Sequence, residues 1–414
     1  MQRKTMSDRK RILFTVNTMS KAGTEVALLQ LLKALGDGYD IDLYVMTAQG
    51  ELISQVPDYV RVLNRSIEES SVLSEYGQKR LRNFVISSGI SHGSGFTNLP
   101  YVARNLFGML RSGEVKFDKL CWRVISDGAP ANHIYYDMAV AFLEGASTYY
   151  VADHVKARHK VAFVHVDIEK AGYGPSLDRG CYDCFEQIFT VSGEVRDAFL
   201  KLYPQYSHKV DIINNLIDQQ GIRDSSKGAG FEDGFTGRRI LTVGRLHPQK
   251  GLDIAIDAMR LIKKDYPDTR WYVLGEGAIR AELERQIEAA GLTEDFVLMG
   301  AVDNPYPYMA QCDVYAMPSR FEGKSIALQE ALTLGCCVVA SDVSGNREQI
   351  SNGEDGILCE LSPEGVSSAI GRVLGDDDYR SALANAASKI VYDNDAQVDK
   401  LLSVMDEKER YNVG

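Results

Sequence analysis

The 414-residue chain has no run of eighteen apolar residues, and its basic N-terminus, Met1 to Arg11, leads only into a short apolar stretch. That pattern offers neither a membrane span nor a secretory leader. The seven cysteines are odd in number and scattered, which fits a reducing compartment, so the expected location is cytoplasmic. Cys181 and Cys184 have zinc-like spacing but no second matching pair, and no metal site is expected from them. A strong basic face is lacking too. Residues 1–230 carry 27 Lys and Arg against 26 Asp and Glu, the remainder 19 against 31, and the net charge is −11. Nucleic acid is therefore not expected as a partner. Asp376-Asp377-Asp378 contains a D-x-D spelling, but it lies where an acidic loop enters a helix and reads as a cap rather than a metal ligand. No Ser-His-Asp arrangement can be argued from residue order.

What the chain does have is apolar content for two cores, with 45% hydrophobic residues over a length that suits two domains. Apolar runs at Ile12–Val16, Ile41–Met46, Met138–Phe142, Val161–Val166 and Ile188–Val191 read as buried strands. Helical patterns separate several of them. Val26, Leu28, Leu29, Leu31, Leu32 and Leu35 give the first helix a broad apolar face, entered through Gly23 and Thr24. A second series follows at Ile240–Val243, Trp271–Leu274, Phe296–Met299, Val314–Met317 and Val338–Ala340. The fold class is α/β, with two parallel-sheet halves. Between them, residues 219–239 are rich in Gly, Ser, Asp and Lys and read as a linker. The expected domains are thus 1–218 and 240–394, with residues 395–414 as an amphipathic final helix whose Val398, Leu401, Leu402 and Met405 can form a packing face.

The most informative stretch is Ser319-Arg320-Phe321-Glu322-Gly323-Lys324-Ser325-Ile326, continuing to Glu330. Strand Val314–Met317 leads into it, Pro318 and Gly323 break the chain, and Ser325 can cap a helix running to about Leu334. Free N–H groups near Ser325 and Ile326 suit a phosphate, with Glu322 in the loop before them and Glu330 a turn or more inside the helix. Two acceptors then flank one phosphate-binding point. A nucleotide-sugar has that layout, with hydroxyls on its sugar and its ribose and a diphosphate between. The plain alternative is a pair of solvated glutamates.

A second cluster, Gly244-Arg245-Leu246-His247-Pro248-Gln249-Lys250-Gly251, lies between strand Ile240–Val243 and a helix beginning near Leu252. Ligands bind at such loops in α/β sheets. The planar fork of Arg245 and the mobile charge of Lys250 suit a diphosphate leaving group, two exposed loop cations being the alternative.

In these two segments, in Gly275-Glu276-Gly277 and in Cys312-Asp313-Val314 before Pro318-Ser319, the chain resembles the retaining glycosyltransferases of family 4, the group 1 glycosyltransferases. The likeness is densest from Arg239 to about Cys359. Earlier it rests on Lys21-Ala22-Gly23-Thr24-Glu25, Phe142-Leu143-Glu144-Gly145-Ala146, Val164-His165-Val166-Asp167, Val191-Ser192 and Asn215-Leu216-Ile217-Asp218, taken in their order. The resemblance implies the GT-B architecture, two Rossmann-like domains facing each other across a cleft, with the last helix returning to the first domain. It implies a sugar moved with retention from a nucleotide-diphosphate donor to a glycan or lipid-linked acceptor in cell-surface polysaccharide or glycolipid synthesis, without metal or other cofactor. By the same resemblance Arg245, Lys250 and the helix start at Ser325 and Ile326 hold the diphosphate, Gly244 and Gly323 shape their loops, Glu322 takes the donor sugar, and Glu330 takes the ribose. Gly23 admits the opposite domain's loop to the phosphates, although Ala22 departs from the glycine pair often seen there. Val302 borders the base, and His165 serves the reaction near the acceptor. Lys324 stands where relatives often carry an apolar residue and bears on donor choice. Alternatives are a same-fold sugar-nucleotide epimerase or phosphorylase, or a non-catalytic subunit of a glycosylation complex.

Residues 78–119 interleave Lys79, Arg80, Arg82, Arg104, Arg111, Lys116 and Lys119 with Phe84, Ile86, Tyr101, Leu106, Phe107 and Leu110. Such a surface suits peripheral contact with anionic lipid at the inner membrane face, solvated helices around a core being the plainer reading.

Overall fold

The computed structural model describes residues 9–70, 75–91, 93–112 and 115–406. The chain divides into two compact units, one of residues 1–216 with 393–414 and the other of residues 217–392. The start of the basic N-terminus and the last eight residues expected in the final helix lie outside the described residues.

The first unit holds a seven-stranded parallel sheet in the order β3-β2-β1-β4-β5-β6-β7. Its strands are β1 (Arg11–Val16), β2 (Asp40–Val45), β3 (Val60–Val62), β4 (Tyr135–Ala141), β5 (Lys156–Val164), β6 (Gln187–Thr190) and β7 (Val210–Ile212). The helices of this unit include α1 (Gly23–Leu35), α2 (Glu75–Ser91), α3 (Ser94–Thr97), α4 (Leu99–Ser112) and α5 (Phe117–Asp127). Strands buried on both faces must be apolar throughout, and Ile12, Leu13, Phe14 and Val16 of β1 are all fully buried. The terminal helix Asn394–Ser403 joins this unit. Val398 and Leu401 are buried, Lys400 donates to the Ile212 carbonyl at 2.8 Å, and the Gln397 side chain accepts from the Asn214 amide at 2.9 Å.

The second unit holds a six-stranded parallel sheet in the order β10-β9-β8-β11-β12-β13. Its strands are β8 (Arg238–Val243), β9 (Thr269–Leu274), β10 (Phe296–Gly300), β11 (Val314–Met317), β12 (Val338–Ser341) and β13 (Ile357–Cys359). The chain lays strands outward from β8 to one side and then from β11 to the other. Those two are neighbours, with Val314 opposite Ile240 and Tyr315 opposite Leu241. Such a reversal leaves a crevice beyond the carboxyl ends of the two strands, because their following loops run to opposite faces of the sheet. Both motif loops start there.

Residues 219–239 are not a bare linker. A helix over Gln219–Ser225 starts this unit, with the Asp218 carboxylate accepting from the Gly221 amide at 2.8 Å and Ile222 buried. Gln219 then ties the segment to the end of the unit through the Ile390 carbonyl at 2.8 Å and the Tyr392 amide at 3.1 Å. Phe231 packs its ring against Tyr272 and Tyr308. Few apolar residues suffice here because each is an anchor. At the far end of the unit, Asp376 caps the helix Asp377–Ala387 by accepting from the Tyr379 amide at 2.9 Å.

Candidate active site

β8 ends at Val243, and the chain turns through Gly244 to Arg245, whose side chain is exposed, and on to half-buried Lys250. Gly251 then starts the helix Leu252–Asp265 with φ +63°, and a Cβ there would lie 2.0 Å from the Pro318 carbonyl oxygen. Only glycine fits, and the cation loop is thereby brought against the loop that follows β11. Side chains lock the two loops together. Arg320 forms a two-pronged ion pair with Asp253 at 2.8 and 2.6 Å and donates to the Pro248 carbonyl at 2.7 Å. Gln249 accepts from the Arg320 amide at 2.7 Å through its carbonyl and donates to the Phe321 carbonyl at 2.9 Å.

Within that frame Lys250 Nζ donates to Glu322 Oε1 at 2.7 Å, both side chains being largely buried. The cation assigned to phosphate and the carboxylate assigned to sugar thus touch each other. His247 sits near both cations; desolvation lowers its pKa first, and the charges of Arg245 and Lys250 lower it further. Among the described residues Arg245 is the exposed cation of this loop, beside the Lys250–Glu322 pair.

The helix after β11 runs from Ile326 to Thr333 with Ser325 in the N-cap position, but the serine hydroxyl makes no capping bond, contrary to the expectation for it. The first-turn N–H groups therefore keep no side-chain cap, which favours an anion at that end. Gly345 fixes the loop from behind. A Cβ at Gly345 would meet the Gly323 carbonyl oxygen at 1.8 Å, so the segment Ser344–Arg347 presses its backbone on Gly323. Asn346 is fully buried and donates to the Ser341 carbonyl at 2.9 Å, while Ser341 Oγ donates to the Ser319 carbonyl at 2.5 Å. Lys324 is half-buried, and desolvation pushes its ammonium pKa down, with Glu348 opposing.

Glu330 lies one turn inside the helix. Burial pushes its carboxyl up to about 7, and the Tyr306 hydroxyl donates to it at 2.8 Å. Tyr306 opens the short helix Tyr306–Gln311 after the loop that holds Val302, itself half-buried against the apolar cluster around Tyr315, Met317 and Leu328. Arg245, Lys250, Glu322, Gly323, Lys324, Ser325, Ile326 and Glu330 thus belong to one edge of one sheet.

Gly23 and His165 belong to the first unit. Gly23 is exposed at the head of α1, which has no side-chain cap. His165 follows β5 and is buried between the Phe142 and Phe163 rings, with centroids at 4.9 and 6.0 Å. Burial pushes the imidazole down to about 3, against a backbone hydrogen bond at Phe142, so the ring is neutral. Its Nε2 has no hydrogen-bond partner among the described residues. The backbone around it is clamped by Glu144, a buried carboxylate that accepts from the His165 and Val166 amides, the latter at 3.1 Å. Asn17 donates to the Glu144 carbonyl at 2.7 Å and so binds this turn to the end of β1. Asp167, two residues on, caps the short helix Ile168–Ala171 and pairs with Lys170 at 2.9 Å.

Sequence reasoning quoted Arg320, His247 and Glu144 inside its motifs without giving them a part, and missed Asp253, Tyr306 and Gly345. The pairing of Arg320 with Asp253, 67 residues apart, has no local signature.

Residues 234–390 match the family model described as glycosyl transferases group 1. A Campylobacter jejuni N-acetylgalactosamine-N,N'-diacetylbacillosaminyl-diphospho-undecaprenol 4-alpha-N-acetylgalactosaminyltransferase is 36% identical over 182 residues, 43% of this chain and 48% of that protein. An Escherichia coli UDP-Gal:alpha-D-GlcNAc-diphosphoundecaprenol alpha-1,3-galactosyltransferase is 25% identical over 217 residues, 50% of this chain and 56% of that protein. The chain thus spans about half the length of the curated relatives it matches. Among solved structures, Anabaena HepE in complex with UDP-glucose superposes with a TM-score of 0.62 at 17% identity over 97% of this chain and 98% of its own. Sucrose-phosphate synthase from Thermosynechococcus elongatus superposes with 0.63 at 15% identity over 98% of each. The fold is GT-B.

Proposed function

We propose, from the premise that this chain carries the group 1 glycosyl transferase domain over residues 234–390, that it moves a sugar from a nucleotide-diphosphate donor to a lipid-linked or glycan acceptor, with retention. The observation that carries this reading is the convergence of Lys250, Glu322 and an uncapped helix start at the carboxyl edge of neighbouring strands β8 and β11. Relatives named for undecaprenyl-diphosphate-linked acceptors support the acceptor class.

In the proposed reaction the bond between the sugar's anomeric carbon and the diphosphate oxygen breaks as the acceptor hydroxyl adds from the same face. The departing phosphate oxygen takes the acceptor's proton, and the products are the glycosylated acceptor and a nucleoside diphosphate. Arg245, Lys250 and the N–H groups at Ser325 and Ile326 stabilise the growing negative charge, a kind of contribution worth about 10² to 10³ in rate per group. Glu322 orients the sugar beside Lys250, and Glu330 accepts from the ribose hydroxyls. Neutral His165, with an open Nε2, accepts a hydroxyl rather than carrying charge. Gly244, Gly323 and Val302 line the donor path, and Lys324 tunes the choice of sugar. No enzyme nucleophile is required. The charge work falls to these residues, and we propose that no metal is needed, that the enzyme acts on the cytoplasmic side, and that its partners include no nucleic acid.

The test is transfer from a panel of nucleotide-sugars to a synthetic diphospholipid-linked sugar in chelator, with the new anomeric configuration read by NMR. Transfer with the donor's configuration supports the reading. An inverted product, or donor consumed only as an epimer or by added phosphate, contradicts it.

A further inference from the structure

Seven of the thirteen large apolar side chains exposed among the described residues fall between Tyr76 and Phe117, a tenth of the chain. Five of them lie on α3, α4 and the start of α5, where Phe96 is 79% exposed, Leu99 62%, Phe107 69%, Leu110 62% and Phe117 65%. Single exposed apolar residues need no explanation, but a cluster of this size marks a surface that meets something other than water.

α4 explains why the cluster faces outward. Its inner side, with Tyr101, Val102, Leu106 and Met109, packs on Leu120 and Leu177, so the helix already has a core to rest on. Leu99, Phe107 and Leu110 occupy the other side and span about 16 Å at the helical rise. Arg104 and Arg111 stand on that side too, exposed, and neither has an ion-pair or hydrogen-bond partner among the described residues. Tyr101 and Leu106, part of the apolar set expected to alternate with cations on this surface, turn inward instead; Phe96, Leu99 and Phe117 replace them.

The charge chooses the occupant. Ser94–Phe117 contains Arg104, Arg111 and Lys116 against Glu114 alone, in a chain whose net charge is −11. Aromatic and leucine side chains interspersed with unpaired guanidinium groups match the boundary between anionic headgroups and acyl chains. An apolar protein partner leaves those guanidinium groups unmatched. Among the described residues no helix is long and apolar enough to cross a membrane, so the contact is lateral.

We propose that the outer face of α3, α4 and the start of α5 docks on an anionic lipid bilayer, with Phe107 and Leu110 inserted and Arg104 and Arg111 on phosphate headgroups. This deepens the lipid-linked acceptor reading by naming the surface that brings the chain to its acceptor, and it takes its biological meaning from that reading.

The test is co-sedimentation of the full chain with phosphatidylcholine vesicles and with vesicles containing phosphatidylglycerol, without donor or acceptor. Binding to the anionic vesicles should be about tenfold stronger or more, and should weaken with salt. Arg104→Glu with Arg111→Glu should lose that preference, and Phe107→Ser with Leu110→Ser should lose binding, both keeping the wild-type melting temperature. Equal binding to both vesicles, no binding, or unchanged binding by both variants overturns the proposal. So does a wild-type dimer that ignores vesicles and is broken by Phe107→Ser. Transfer to a water-soluble acceptor separates the two readings, because its failure beside intact vesicle binding counts against the transferase and not against the surface.

Discussion

Lys250 Nζ lies 2.7 Å from Glu322 Oε1, joining the loop after β8 to the loop after β11 across the strand reversal of the second unit. The contact makes the two residues one unit: a cation that can turn to a phosphate and a carboxylate that can turn to a hydroxyl, each holding the other in place.

Arg245 and Lys250 should therefore differ in what their loss does. Arg245 is exposed, so Arg245→Ala should cut turnover by about 10² to 10³ with an unchanged melting temperature. Lys250→Ala should cut turnover similarly but also destabilise by about 3 kcal/mol, because Glu322 is left buried without its cation. Steady-state kinetics beside thermal melts check both. Near-normal turnover in the two variants removes their role.

Donor affinity should depend on pH through Glu330. Burial raises its carboxyl to about 7, so below that pH it is protonated and a poorer acceptor for ribose hydroxyls. Affinity should rise as pH increases through 7, and Glu330→Gln should abolish the slope. The same raised pKa means the fold binds this proton more tightly than the unfolded chain, so its contribution to stability falls as pH rises from the ordinary glutamate range towards 7. Calorimetric titrations from pH 6 to 8 read the binding slope; a flat wild-type profile contradicts the assignment.

Much of this site was legible from sequence, and the reason is local. β8 and β11 are short apolar runs stopped by Gly244 and Pro318, and the charged residues that follow sit in the loops that the strand ends dictate. The three-residue edge strands β3, β7 and β13 escaped notice because so short a run carries no period. The helix Gln219–Ser225 escaped because one buried Ile222 and an Asp218 cap do not overcome a polar composition. The family resemblance implies a ribose role for Glu330, but its Tyr306 partner comes from 24 residues away and only packing reveals it. Glu144 was visible as a residue and invisible as a clamp, since its donors are backbone amides of another strand end.

Gly345→Ala should weaken the donor site from outside it. The added methyl meets the Gly323 carbonyl, so the loop between Glu322 and Ser325 must shift. Overpacking of this kind costs about 1 to 3 kcal/mol. The donor dissociation constant should rise while the protein still folds, as titration calorimetry and circular dichroism would report. An unchanged constant means the loop does not depend on this contact.

His165 should stay neutral throughout the working range. Its imidazole is pushed down to about 3 by burial, so its ring NMR signals should not titrate between pH 5 and 8. His165→Ala should lower transfer without altering the pH profile. A titration in that window, or full activity in the variant, contradicts the role of an uncharged hydroxyl acceptor.

The central claim is that the loops after β8 and β11 grip a sugar-bearing diphosphate. Thermal melts in chelator against a panel of nucleotide-sugars test it most directly. At 100 times its dissociation constant the true donor should stabilise the wild-type chain by about 2.7 kcal/mol, and Arg245→Ala should lose most of that gain. No stabilisation by any member of the panel, or an equal gain in Arg245→Ala and Lys250→Ala, contradicts it.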